Sequence, residues 1–168
     1  MGVPSQDLDV KLRMLRRGKL SGREAHRAVH EFGRAGFMRA RPEVEKLLGN
    51  DDPELRLISL EVLTRHWHLN EHWETSRRFL REDPDKYCRI QGASSLEVLK
   101  RNTADRKTLS VLAKIVRDEA EIQGVREAAY SAMRGILHYD AREQMRLASN
   151  GMDLKKDADW EMVNTYAT

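Results

Sequence analysis

The stretch His66-Trp67-His68-Leu69-Asn70-Glu71-His72-Trp73 gathers three imidazoles and two indoles. His68 and His72 stand four residues apart, the spacing at which side chains share a helix face and could hold a transition metal. The stretch straddles an expected helix break at Asn70, and no cysteine or fourth ligand completes a zinc pattern, so packing is the expectation. The same holds for His26 and His30, which share a helix face, and Trp67 and Trp73 are expected under the turn rather than as an exposed clamp. The one cysteine, Cys88, falls at an apolar position of a periodic helix, where a buried inert thiol is expected and not a nucleophile. No glutamate stands in an apolar setting that would lift its pKa for acid–base work. The patterns GxxxxGK[ST], GxGxxG after a strand, HExxH and GxSxG do not occur. The expectation is a chain that is not an enzyme and takes neither metal nor cofactor.

A second constellation is periodic. LRLISLEVLTRH (55–66), CRIQGASSLEVL (88–99) and VREAAYSAMRGI (125–136) each place an arginine directly after the first apolar residue: Arg56, Arg89 and Arg126. Each then has a small residue, Ser59, Gly92 or Ala129, and four positions further Leu63, Leu96 or Met133. Upstream of each lies a hydrophobic pair followed by an acid: Leu47-Leu48 with Asp51, Phe79-Leu80 with Asp83, Ile115-Val116 with Asp118 and Glu119. The arginines recur after 33 and then 37 residues, and repeats of that length mark stacked helical arrays. Arg56, Arg89 and Arg126 are read as a structural row reaching acids such as Asp51 and Asp83 in the same or the next repeat, in preference to a row of ligand-binding groups.

Over residues 42–138 the pattern resembles the HEAT-repeat family, whose second helix carries Asp, then Val-Arg, then small residues and leucine. Leu60 stands where the family usually has alanine, and Cys88 where it has valine. The resemblance implies an all-α, right-handed α-solenoid of about five stacked antiparallel helix pairs, with the second helices lining the concave face. One domain is expected over 1–168: basic capping helices in 1–41, three clear repeats in 42–138, and capping helices in 139–168. On an ideal helix the outward positions of the second helices would be Leu57, Glu61, Thr64 and His68, then Ile90, Ser94, Glu97 and Arg101, then Glu127, Ser131, Arg134 and His138. That face mixes both signs of charge with two aliphatic side chains, which suits a polypeptide better than a phosphate backbone.

Stacked helices need ends as well as faces. Pro42, Pro53 and Pro84 precede strongly periodic segments, and proline fits a first helical turn because its missing N–H has no intrahelical partner. Asp52 and Asp83 are read as N-caps, Ser21 with Glu24 as a capping box, and Gly18, Gly49 and Asn150-Gly151 as stops. The helices expected are 6–17, 21–34, 37–48, 53–67, 70–81, 84–101, 105–117, 121–138, 141–149 and 157–166. No sustained alternation of apolar and polar residues between hairpin turns supports strands.

Composition closes off other classes. The 168 residues are 40% hydrophobic and 34% charged, too apolar for a disordered chain and too polar for one that lives in lipid. No run of apolar residues is long enough to span a bilayer or serve as a secretory signal, so a cytoplasmic protein without a membrane partner is expected. The net charge of +3 is unevenly spread: residues 1–41 hold ten Lys and Arg against four acids, the rest twenty against twenty-three. The basic run Lys11, Arg13, Arg16, Arg17, Lys19, Arg23 and Arg27 is read as the solvated side of capping helices. The expected function is an adaptor, inhibitor or accessory subunit that binds another protein, as a monomer or weak dimer. The rivals are a nucleic-acid-binding protein with the architecture of HEAT-like DNA glycosylases, whose site residues cannot be matched in this chain, and a cofactor- or pigment-binding helper like HEAT-repeat lyases.

Overall fold

Apolar residues at three- and four-residue spacing with capped ends dictate helices, and every regular element among the described residues is helical, with no strand. The structure, a computed structural model, describes residues 5–138 and 152–168, so the helix expected over 141–149 and the stop at Asn150-Gly151 lie outside the described residues. The α-helices are α1 Ser5–Arg16, α2 Gly22–Arg34, α3 Arg41–Leu47, α4 Pro53–Glu61, α5 Trp73–Glu82, α6 Lys86–Lys100, α7 Arg106–Arg117, α8 Gln123–Ile136, α9 Leu154–Asp157 and α10 Trp160–Tyr166. Short 3-10 turns, Met38–Ala40 and Asn70–His72, lead into α3 and α5.

Local chemistry sets the ends. Ser21 N–H donates to Glu24 Oε2 at 2.9 Å while Glu24 N–H donates to Ser21 Oγ at 3.4 Å, a complete capping box. Asp52 accepts from Glu54 N–H at 2.9 Å with Pro53 in the first turn of α4. The cap of α6 is Asp85, which accepts from Tyr87 and Cys88 N–H, and not Asp83. Asp83 accepts from Asp85 N–H at 2.9 Å, an Asx turn that delays the helix past Pro84. Among the described residues the left-handed glycines are Gly18 and Gly36; Gly49 does not adopt that conformation.

The segment after α4 departs from the expected continuous helix. Val62–His66 is π-helical, closed by Trp67 N–H donating to Val62 O at 3.0 Å. Thr64 Oγ donates to Leu60 O at 2.7 Å, occupying the carbonyl that an α-helix would offer to the Thr64 N–H, and the turn widens. His68 then takes a left-handed φ of 51°, and Leu69 N–H returns to Leu63 O at 3.0 Å to end the helix.

Packing divides the chain into two compact units, Met1–His72 and Trp73–Thr168. In the first, α1 packs on α2, α3 on α4, and α2 on α4, around Leu12, Val29, Phe32, Val44, Ile58 and Leu63. In the second, α5 packs on α6, α7 on α8, and α6 on α8, around Leu80, Leu96, Leu109, Leu112, Val125 and Met133. Leu154, Met162 and Val163 close the end of that core, with α10 against α7. Each unit therefore pairs helices in order and sets the second members of two pairs side by side.

Gly92 marks the tightest contact. A Cβ there would lie 2.5 Å from Leu80 N and 2.8 Å from Ser76 O, so the backbones of α5 and α6 meet with no room for a methyl group. Gly92→Ala is expected to lower the unfolding free energy by about 2–3 kcal/mol. Gly49→Ala, whose Cβ meets nothing within 4 Å, changes it by less than about 0.5 kcal/mol. Urea denaturation of the two variants beside the parent measures both.

Candidate functional site

The last carbonyls of a helix lack intrahelical donors, and the recurrent arginines supply them. Arg56 Nη1 donates to Asn50 O at 2.9 Å and Asp51 O at 3.0 Å, just beyond α3. Arg89 Nε donates to Leu80 O at 2.9 Å near the end of α5, and Arg126 Nε donates to Val116 O at 2.9 Å near the end of α7. Arg89 also pairs with the carboxylate of Glu121, an acid that the sequence comparison passes over and whose side chain is only 6% exposed. The guanidinium suits this task because its fork offers donors to a carbonyl and a carboxylate at once.

The face read as outward on the ideal helix is less open than expected. His68, Arg101 and His138 are exposed; Leu57, Glu61, Ile90, Glu97 and Glu127 are half-buried. Glu97 accepts from Arg101 Nη2 at 2.5 Å. Arg134, expected to face out, is 3% exposed, with its guanidinium 5.9 Å from the Tyr130 ring. The reason is that the end of α8 is covered on several sides. Gly135 abuts Glu97 of α6, α7 packs alongside, and Ala104 N–H donates to Ile136 O at 3.2 Å. Thr64 is likewise buried, with its hydroxyl turned back onto Leu60 O.

What the second unit does present is a groove of about 480 Å³ lined by Arg81, Arg89, Val111, Lys114, Ile115, Asp118 and Glu121. Val111 and Ile115, one turn apart on α7, supply its apolar side. Arg81 and Lys114 are exposed and make no ion pair among the described residues. Asp118 accepts from Ala120 N–H at 3.0 Å, leaving its charge at the rim. No linear spacing could have shown this groove, because its lining comes from three helices and the loop after α7.

The histidines are drawn to separate partners. The rings of His66 and His30 meet edge-on at 5.9 Å, while His72 Nε2 lies 3.2 Å from Glu45 Oε1. Among the described residues no three His, Cys, Asp or Glu side chains converge as a metal site. Burial pushes the His66 pKa below its ordinary value; Glu61 opposes the shift, and His30, Arg65 and Arg34 reinforce it. Trp67 and Trp73 are both buried, and Trp73 Nε1 donates to Thr108 Oγ at 2.7 Å, whose hydroxyl in turn donates to Asp105 at 2.6 Å. Cys88 is buried.

No family model, no curated protein and no solved structure matches this chain. Function must therefore be argued from the surfaces themselves. Among the described residues no helix is long and apolar enough to cross a membrane.

Two outcomes follow from this geometry. Arg89→Met strands the buried Glu121 carboxylate as well as Leu80 O and should cost about 3 kcal/mol. Arg126→Met removes the bond to Val116 O and should cost about 1 kcal/mol; chemical denaturation ranks the two. The His66 shift adds a pH dependence. Its folded pKa lies below the unfolded one, so the unfolded chain binds the proton first. Stability is full above about pH 6.5 and declines as the pH falls from there toward the folded value. The urea midpoint followed from pH 8 to 5.5 should fall less steeply in His66→Gln than in the parent.

Proposed function

We propose that the chain is a non-enzymatic HEAT-like repeat protein that binds another protein, as an adaptor, inhibitor or accessory subunit. Support for the repeat reading comes from helices paired in order in each unit. It comes also from the bonds that Arg89 and Arg126 make through Nε to carbonyls near the end of the preceding helix, and from the looser counterpart at Arg56, which reaches Asn50 O and Asp51 O in the loop after α3. A helical hairpin of this kind has an apolar stripe that it cannot bury alone, and stacking neighbours cover it.

The observation that carries the binding role is the groove of the second unit. Two aliphatic side chains beside unpaired cations and a rim carboxylate offer both desolvation and charge recognition, the combination that protein interfaces use. A volume of about 480 Å³ accommodates a few side chains of an extended segment. The ligand best matched to it carries an aliphatic side chain flanked by a carboxylate, the latter for Arg81 and Lys114.

Affinity capture from the host lysate, followed by cross-linking and mass spectrometry, tests this reading. Wild type should retain a specific protein cross-linked near Lys114, and the exposed double reversal R81E/K114E should retain it at least tenfold less. Equal recovery by both, or recovery of no protein by either, overturns the proposal.

A further inference from the structure

The first unit carries a surface of different chemistry. On α2, Arg23, Arg27, His30 and Arg34 follow one another at four-, three- and four-residue steps, which places them within a narrow strip of the helix surface. The buried side chains of the same helix, Ala25, Ala28, Val29 and Phe32, occupy the opposite side. From Arg23 to Arg34 the strip runs about 16 Å along the helix axis. At its far end His30 meets His66 edge-on, and Arg34 and Arg65 both act electrostatically on His66.

The four arginines are exposed and make no ion pair among the described residues. The acids beside them are already occupied or outnumbered. Glu24 accepts from Ser21 N–H and Oγ at 2.9 and 2.8 Å, and Glu31 is held by Lys11 Nζ at 2.5 Å. Glu24 still acts electrostatically with Arg27, Asp52 lies close to Gly22 beside Arg23, and Glu61 lies near His66, so four arginines face three carboxylates that Lys11 does not hold. Within the basic run of the sequence, Lys11 and Arg16 are likewise spoken for, by Asp7 and Glu31 and by Glu43.

We propose that Arg23, Arg27, His30 and Arg34 on α2, extended by Arg65, form a surface that binds the phosphate backbone of duplex nucleic acid. The guanidinium fork matches phosphate oxygens two at a time, and a run of about 16 Å spans about five base-pair steps of a strand. What the strip lacks decides among polyanions. Among the described residues the exposed large apolar side chains are Val10, Met14, Met38, Tyr87 and Ile122, none of them on α2, although the first three lie on neighbouring elements of the same unit. The strip thus offers no apolar anchor for an acidic protein and nothing to insert into an anionic membrane. It also carries no Phe, Tyr or Trp on which the bases of a single strand would stack. Contacts confined to phosphates hold the duplex without reading its sequence.

Fluorescence anisotropy of a labelled 20-base-pair DNA duplex between 50 and 200 mM salt tests the assignment. Wild type should bind with a log–log salt slope of about −3 to −4, as expected for four phosphate contacts. R27E/R34E should weaken binding at least 30-fold at 100 mM salt and make the slope shallower by about two, and R23E/R65E should behave alike. R27K/R34K, which keeps the charge, should keep the slope. R81E/K114E, which changes net charge equally but lies in the other unit, should alter affinity less than threefold. Equal losses in both sets of reversals, a wild-type slope no steeper than about −1, or tighter binding to polyglutamate or phosphatidylserine vesicles than to the duplex would overturn the proposal.

Discussion

A helix that ends inside a folded protein exposes carbonyls that its own turns cannot satisfy, and here an arginine from the next helix satisfies them. Arg56, Arg89 and Arg126 each stand in the first turn of a second helix and reach back across the hairpin to carbonyls at or just past the end of the first. The bond ties the rotation and the axial offset of one helix to its partner. Once both are tied, the apolar stripes of the two helices must face the same side, and the next pair can cover them. Glu121 strengthens the contact at Arg89 by placing a nearly buried carboxylate on the free edge of the guanidinium.

Close approach is the second requirement, and it constrains side-chain size rather than charge. At Gly92 the backbone of α5 occupies the space that a Cβ would need. Ser59 and Ala129, at the equivalent positions of the other two second helices, are also fully buried and small. A larger residue at any of these points would push a helix off the arginine that caps its neighbour. The polar link and the small-residue contact are therefore two parts of one constraint, which explains why they recur together.

Most of the helices were legible because their signals are local. Ser21 with Glu24, Asp52 with Pro53, and the three- and four-residue apolar spacing all act within one or two turns, and the ends follow from them. Where reading failed, a competing bond or a neighbour had intervened. Asp83 looked like the cap of α6, but its own short turn with Asp85 shifted the start. Thr64 looked outward, but its hydroxyl took the Leu60 carbonyl and the helix widened. Arg134 looked outward on an isolated helix, and only the elements that cover the end of α8 bury it. The groove lined by Arg81, Val111, Lys114 and Ile115 lies furthest from linear reading, because residues more than thirty positions apart build it.

Net charge alone would have misled the functional argument. Excess cations in residues 1–41 invite a polyanion anywhere on that surface, yet Lys11 and Arg16 are consumed by Glu31 and Glu43 in holding α1 in place. Arg13, Arg17 and Lys19 are left over, scattered along α1 and the turn after it, whereas Arg23, Arg27 and Arg34 lie in a row on α2 because that row is opposite the apolar stripe, where solvent imposes no other demand. In the second unit the exposed cations instead sit beside Val111 and Ile115, where a ligand must also bring apolar surface to gain from being desolvated. Two surfaces with such different requirements discriminate between ligands by what surrounds the charge: a bare row of arginines rewards a regular polyanion, and a cation beside an aliphatic wall rewards a polypeptide.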